Sequence, residues 1–329
     1  MKTNIKLWLM LFSLSISLAW VSPLQAMGNL PTTLEVVIPS LEYVRDFGSP
    51  GTAERQFYYP QGITAARLGD LETGLGNIFI ADTGNNRVQV LDQDGGFIYQ
   101  FGGFGISQGR FNTPIGIAVD FNFRLYVSEK DNDRVQLFDI RGNYLNDVAT
   151  GEIGYRTLKQ PAGIEVDSLG TIYLADSGND RIIKISANGM YQVIIGGYGF
   201  GPGFFDRPMD VAVDRDRFLY IADTGNNRIQ KLDSDGRPYL MFGKLGSGPN
   251  ELTQPQGLAV DDKLIYIADS GNNRIQLFTK QGQFALSFGQ KGSGRGEFNN
   301  PTGICLGKKG QLYIADTNNH RIVELRVKY

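Results

Sequence analysis

The sequence predicts an all-β protein, a six-bladed β-propeller whose four-stranded antiparallel blades are closed by an N-terminal strand that completes the last blade. Three observations predict this fold. The motif Ala/Ser-Asp/Glu-x-x-Asn-x-Arg occurs six times, at intervals of 46 or 47 residues. A proline opens each unit, from Pro60 to Pro301. The last unit is one strand short. A period of this length is typical of propeller blades, each of which is one small antiparallel sheet.

The predicted units share one size. They span about residues 60–101, 114–148, 161–195, 208–242, 255–288 and 301–329, with 34–48 completing the last.

The fourth unit illustrates how a repeat is interpreted as a sheet. Apolar or alternating stretches at 209–214, 218–222, 228–232 and 238–242 are separated by segments rich in Asp, Gly and Asn. Such residues favour tight turns, and short strands joined by tight turns form an antiparallel meander.

The closing strand is predicted from a local similarity. The sequence Glu42 to Gly48 resembles the blade end Leu240 to Gly243, and the last unit, 301–329, has only three strands of its own. Pairing the two ends of the chain would remove two exposed sheet edges, which otherwise invite aggregation.

The repeated residues resemble the NHL repeat family. The similarity depends on Pro-Gln-Gly-Leu-Ala-Val-Asp at 255–261, Ile-Tyr-Ile-Ala-Asp-Ser-Gly-Asn-Asn-Arg-Ile-Gln at 265–276 and Phe-Gly at blade ends, and it covers about 34–329. The resemblance implies the propeller fold. For function it implies a binding module, although related six-bladed propellers include lyases and lactonases, and a fold alone does not determine activity.

The N-terminus has the pattern of a secretory signal peptide. Lys2 and Lys6 precede an apolar run at 7–21, and small residues follow. We expect a signal peptide at 1–26, a linker at 27–33 and the propeller at 34–329, with the protein exported to the periplasm or the outside of the cell. An uncleaved anchor is the alternative, but the run is short for a span of about 20 residues. After cleavage we expect no stable membrane span.

Composition narrows the function classes. The chain has 32 Lys and Arg against 34 Asp and Glu, which gives a net charge of −2. Nucleic-acid binders usually carry a basic domain, so we expect no nucleic-acid partner, and RNA binding is the weakest hypothesis. His320 is the only histidine and Cys305 the only cysteine. A zinc site made of several histidines and an intramolecular disulfide are therefore both excluded.

Each unit pairs an acid with an arginine five residues later. We interpret these pairs as structural, because bidentate guanidinium–carboxylate pairing suits a repeated turn and catalysis does not need six copies. The pairs are Asp82 and Arg87, Glu129 and Arg134, Asp176 and Arg181, Asp223 and Arg228, Asp269 and Arg274, and Asp316 and Arg321.

Departures from the repeat are the candidates for a ligand site near the channel mouth. Asp210 takes a position that is glycine in the other units, and Glu165 stands where they have small residues. A buried acid is costly unless it is paired, so either acid could mark a ligand, an ion or a neighbouring basic group. Met209, Gln61 and Gln256 occupy the variable position after the proline.

The loops between blades supply a second set of candidates. Strand direction places them on the same face as the turns between second and third strands. Phe104, Tyr198, Phe200 and Lys244 do not repeat well and are candidate binding residues, since aromatic and cationic groups at a concave mouth suit peptides or sugars. Phenylalanines that do repeat at the loop ends are predicted to fill gaps between blades.

The sequence therefore favours an exported binding or scaffolding module for a protein, peptide or glycan, acting as a monomer and without a cofactor. The alternative is a metal-dependent hydrolase or lactonase, with a divalent cation held by oxygen ligands in the central channel.

Overall fold

The computed structural model describes residues 39–66, 76–150, 152–153, 156–189, 192–308 and 310–329. The predicted signal peptide and linker, residues 34–38 of the closing segment, and residues 67–75 of the first unit lie outside this part of the chain.

The described residues form six four-stranded antiparallel sheets, which we number as blades 1 to 6 in chain order. From the axis outward, blade 1 contains Ile63–Ala65, Ile78–Asp82, Arg87–Leu91 and Phe97–Gly102. Blade 2 contains Pro114–Val119, Arg124–Glu129, Arg134–Asp139 and Tyr144–Thr150. Blade 3 contains Pro161–Val166, Ile172–Asp176, Arg181–Ile185 and Gln192–Gly196. Blade 4 contains Pro208–Val213, Leu219–Asp223, Arg228–Leu232 and Pro238–Phe242. Blade 5 contains Pro255–Val260, Leu264–Asp269, Arg274–Thr279 and Phe284–Phe288. Blade 6 contains Pro301–Leu306, Gln311–Asp316, Arg321–Lys328 and, as its outer strand, Ser40–Phe47.

Two short strand pairs accompany the blades. Ser49–Pro50 pairs with Gln56–Phe57 in parallel, and Glu152–Ile153 pairs with Arg156–Thr157 in antiparallel fashion. In five blades the turn between the second and third strands is one turn of 3-10 helix. None of the helices found among the described residues is long and apolar enough to cross a membrane.

The predicted closure is confirmed. Ser40–Phe47 runs antiparallel to the last strand of the chain, with Ser40 opposite Lys328 and Phe47 opposite Ile322. The inner strands of neighbouring blades contact each other around the ring, including those of blades 6 and 1. At that junction the Gly303 N–H donates to the Gln61 carbonyl at 3.0 Å. A Cβ on Gly303 would lie 2.0 Å from the same oxygen, so only glycine allows this approach.

The hydrophobic core is divided into six clusters, each formed mainly by two adjacent blades. At the end of each loop between blades, a large apolar side chain fills the gap. Phe57, Phe111, Phe205 and Phe298 are fully buried there. Because each blade buries its faces against two neighbours, an incomplete ring would expose apolar surface on both flanking blades.

Candidate functional site

The repeated acid of each blade is enclosed by donors from its own turn and from the preceding loop. In blade 4 the fully buried Asp223 accepts the N–H of Asp206 at 2.8 Å and Arg228 Nε at 2.6 Å. It also accepts hydrogen bonds from Gln230 Nε2 at 2.9 Å and from Asn226 Nδ2 at 3.0 Å. These bonds satisfy a buried carboxylate that would otherwise be strongly destabilising.

The arginine of the same pair holds the loop between blades. Arg228 Nη1 donates to the Phe200 carbonyl at 2.6 Å, and its Nη2 donates to Gly201 at 3.0 Å and Phe204 at 3.1 Å. Four further arginines each donate to three carbonyls of the loop before their blade. They are Arg87, Arg134, Arg274 and Arg321.

A second contact joins each blade to the next. The last residue of each turn between second and third strands has a left-handed backbone, and its side chain accepts the N–H of the residue before the next proline. Five of these acceptors are Asn or Asp oxygens, and the sixth is an imidazole nitrogen. The pairs are Asn86 with Thr113, Asp133 with Gln160, Asp180 with Arg207, Asn227 with Gln254, Asn273 with Asn300, and His320 with Tyr59.

Hydroxyl groups form a third contact between blades, and the repeat pattern gave no indication of these hydrogen bonds. At four junctions a Thr or Ser hydroxyl donates to the carbonyl of the proline that opens the next blade, at 2.5–2.7 Å. The donors are Thr83, Thr224, Ser270 and Thr317. Blade 2 has Lys130 at this position, and there Ser128 reaches Ala162 of blade 3 instead.

The face that carries the loops between blades is called the loop face here. Its described loop residues are 48–59, 103–113, 156–160, 197–207, 243–254 and 289–300. The turns between second and third strands lie on the same face, since Asn226 Nδ2 donates to the Gly199 carbonyl at 2.9 Å.

Large apolar side chains are concentrated on the loop face. Three of the predicted binding residues lie there in exposed positions, with Phe104 73%, Tyr198 65% and Phe200 68% exposed. Lys244, also exposed, pairs with Glu251 at 3.3 Å. Five further exposed residues of this face complete the set: Tyr58, Tyr59, Ile106, Phe204 and Leu245.

Tyr58, Tyr59 and His320 form one aromatic cluster at the junction of blades 6 and 1. Tyr58 stacks on the imidazole at a centroid distance of 5.2 Å, and Tyr59 meets it edge-on at 4.6 Å. The repeat pattern does not single out these tyrosines, and nothing local in the sequence brings them to His320, which is 261 residues from Tyr59.

The inner strands of all six blades line a central cavity of about 640 Å³. Gln61, Met209 and Gln256 lie at its loop-face end, while Glu165 and Asp210 belong to the walls from blades 3 and 4. The other wall residues are mainly Gly, Ala, Ile, Leu and Val, with the buried Asp120, Asp167 and Asp214 at the turns that follow the inner strands. The structure therefore brings together five of the nine candidate binding residues in one cavity, and the other four lie on the loops.

Asp210 joins two blades. Its two carboxyl oxygens accept hydrogen bonds from the N–H of Val211 at 2.9 Å and, across the junction to blade 5, from the N–H of Leu258 at 2.8 Å. The pKa of this carboxyl is raised to about 8, chiefly by burial and in small part by the nearby Glu165, while the two N–H groups act in the opposite direction. Asp210 is therefore mostly protonated at neutral pH.

Asp210 by itself is poorly suited to bind a divalent cation. A metal-bound carboxyl group must give up its proton, and Asp210 keeps its proton near neutral pH. Within the described ranges, no group of three or more His, Cys, Asp or Glu side chains is placed to hold a metal ion.

Comparison with known sequences agrees with the repeat pattern. The NHL repeat model matches residues 205–232, 252–278 and 298–325. The chain is 36% identical to the RING finger protein nhl-1 of Caenorhabditis elegans over 72 residues, which are 22% of this chain and 7% of that protein. It is 32% identical to Protein brain tumor of Drosophila melanogaster over 89 residues, which are 27% of this chain and 8% of that protein. The matches thus span less than a tenth of either relative.

Comparison with solved structures shows the fold. A streptogramin B lyase superposes with a TM-score of 0.59 at 18% identity, over 88% of this chain and 98% of that one. A gluconolactonase from Xanthomonas campestris superposes with a TM-score of 0.65 at 17% identity, over 84% of this chain and 88% of that one. A chain of a nidogen/laminin complex superposes with a TM-score of 0.57 at 17% identity, over 71% of this chain and 81% of that one.

The family model covers units four to six, and the structure shows six sheets closed into one ring. Together they confirm that the chain carries NHL repeats and folds as a six-bladed β-propeller.

Proposed function

We propose that the protein is a binding module that holds a protein or peptide ligand on its loop face. One observation carries the proposal. Eight of the 16 exposed large hydrophobic side chains of the described residues lie in the loops between blades. Aromatic side chains of this kind are the usual anchors of protein interfaces, and an apolar concentration on one face marks a site of interaction.

The loops that present these side chains are held in place before any ligand arrives. Arg228 fixes the loop of Phe200 and Phe204 through three carbonyls, and Arg134 does the same for the loop of Ile106. A surface that is ordered in advance loses little conformational entropy on binding, which favours affinity. Rigid presentation without a chemical step is the proposed mechanism.

The similarity to a chain of a nidogen/laminin complex supports the proposal at the level of fold, because a propeller of this shape is found there in an assembly of two proteins. The lyase and gluconolactonase similarities concern the fold in the same way. The alternative, a metal-dependent hydrolase, has less support, because the described residues include no group of three or more side chains placed to hold a metal ion.

Selection from a phage-displayed random peptide library tests the proposal. Peptides enriched on the natural chain are measured against the double variant Phe104→Ala/Phe200→Ala and against Phe121→Ala. Phe121 is 53% exposed in the turn between the first and second strands of blade 2, on the opposite face, and is the matched control. We expect affinity to fall at least about tenfold in the double variant, since two anchors each contribute about 1 kcal/mol or more, and to be unchanged in the control.

Two results would contradict the proposal. Enriched peptides that bind the double variant as tightly as the natural chain would place the site elsewhere. Binding of immobilised glycans with no peptide enriched would assign the loop face to a different ligand class. The metal hypothesis has its own test, because a stoichiometric divalent ion retained after dialysis and lost in Asp210→Asn would overturn the interpretation of the channel.

A further inference from the structure

The junction between blades 6 and 1 differs chemically from the other five. Everywhere else an Asn or Asp oxygen accepts the N–H before the next proline, and an oxygen of an uncharged amide or an ionised acid accepts at any pH near neutral. Here the acceptor is Nδ1 of His320, at 3.0 Å from the Tyr59 nitrogen.

This bond requires one protonation state of the ring. A nitrogen that accepts a hydrogen bond carries no proton, so the bond forms only with a neutral imidazole whose proton is on Nε2. An imidazolium has a proton on both nitrogens, and turning the ring over does not restore an acceptor. Protonation therefore leaves the Tyr59 N–H facing another donor.

We propose that the junction of blades 6 and 1 is a proton-sensitive clasp, in which proton uptake by His320 breaks its bond to Tyr59 and loosens the Tyr58–Tyr59 segment of the loop face. Protonation of the imidazole is the trigger, so the clasp would open as the pH falls.

Among the described residues, His320 Nδ1 is the one acceptor bonded to the Tyr59 N–H. The stacked face of Tyr58 attracts a cation and offsets part of the effect, but a ring face does not replace a lone pair in line with the Tyr59 N–H. The charged groups of the packed elements are engaged with one another or lie on exposed loops. The ion pairs are Arg321 with Asp316 and Asp46, and Arg87 with Asp82. The loop charges are Glu54, Arg55, Lys291, Arg295 and Glu297.

The Tyr58–Tyr59 segment is the part of the structure that would respond. Both tyrosines are exposed, at 46% and 41%, and the Tyr58 N–H is held separately by Asp82 at 2.7 Å. Loss of the His320 bond would free Tyr59 while Asp82 still retains Tyr58. If the loop face binds its ligand as proposed above, ligands that contact these rings would be released at acidic pH, and only this consequence rests on the proposed function.

The chain is well suited to a direct test because it has one histidine. NMR spectra of the natural chain between pH 7.5 and 5 follow the single imidazole and the exchange of the Tyr59 amide with solvent. The Thr113 amide, held by Asn86 at the equivalent junction, is the internal reference. We expect Tyr59 exchange to rise several-fold relative to Thr113 in step with protonation of the imidazole.

His320→Asn is the matched variant, since Asn occupies the same position in blades 1, 4 and 5. It should keep Tyr59 protected over the whole pH range. Unchanged Tyr59 protection in the natural chain once the imidazole is protonated would overturn the inference, and that comparison needs no variant. A His320→Asn variant that loses protection as the natural chain does would also overturn it. Neither measurement involves a ligand, so failure of the proposed binding function would leave both interpretable.

Discussion

Asp210 occupies a position that is glycine in the other five inner strands. The effect of its carboxyl group can therefore be judged by comparison with those strands. Those glycines are Gly62, Gly116, Gly163, Gly257 and Gly303. Asp210 adds a bond to Leu258 of the next blade but places an ionisable group in an apolar wall beside Glu165. Asp210 therefore adds one hydrogen bond between blades 4 and 5 and also makes the stability of the protein depend on pH.

The sign of this coupling follows from the raised pKa of Asp210. An aspartate in an unfolded chain loses its proton near pH 4, whereas in the folded protein it does so near pH 8. Between these values the folded state binds the additional proton. The free energy of unfolding therefore falls as the pH rises through this interval, by up to about 1.4 kcal/mol per pH unit, and the full contribution is present below about pH 4.

Asp210→Asn removes the titration and keeps the shape of the side chain. The free energy of unfolding of both proteins is measured with urea at several pH values. From pH 5 to pH 8, the value for the natural chain should fall steadily relative to that for the variant. The variant also loses one acceptor, which costs about 1–2 kcal/mol but does not vary with pH. Parallel pH profiles for the two proteins would show that Asp210 is already ionised at pH 5.

At the scale of the elements, the closing strand is anchored by a buried charge. Glu324 of blade 6 is fully buried, and Arg45 Nε of the closing strand donates to it at 2.6 Å. The same guanidinium continues to Asp94 of blade 1 at 3.0 Å, while Gln311 Nε2 donates to Glu324 at 3.0 Å. This network connects the N-terminal strand to two blades.

Arg45→Ala should destabilise the protein by about 2 kcal/mol. Removal of the partner of a buried carboxylate costs about 3–5 kcal/mol in general, and the partial exposure of Arg45 and the bond from Gln311 reduce that figure. Adding Glu324→Gln removes the uncompensated charge and should recover part of the loss. Thermal unfolding of the two variants and the natural chain checks this, and a double variant less stable than Arg45→Ala would contradict it.

The sequence was sufficient to predict the strands, their order and the closing strand, because these follow from a period that is met six times. It could not predict most contacts between blades. The Thr224 hydroxyl looks like an ordinary turn residue, yet it donates to the Pro255 carbonyl 31 residues away. Likewise the sequence placed Asp210 near the channel mouth but did not indicate that it reaches Leu258, since that distance depends on how closely the inner strands pack.

At the scale of the whole molecule, the ring depends on both ends of the chain. Each hydrophobic cluster is shared by neighbouring blades, and the cluster of blades 5 and 6 includes contacts from Leu41 and Tyr43 of the closing strand. The cluster of blades 6 and 1 includes Phe47. Loss of that strand would expose apolar surface at two junctions and one long sheet edge, which are the conditions for aggregation.

Deletion of residues 34–48 should therefore unfold the protein or make it associate. A permuted chain supplies the matched control. Ser40 lies opposite Lys328 in an antiparallel pair, so the same strand can follow Tyr329 through a short Gly-Ser turn and form a hairpin. Light scattering and thermal unfolding should show a monomer of nearly natural stability for the permuted chain, and aggregation or a much lower Tm for the deletion. A deletion variant that stays monomeric with unchanged Tm would show that closure contributes nothing. A permuted chain that fails alongside the deletion would mean that the covalent link to blade 1, and not the strand itself, holds the ring together.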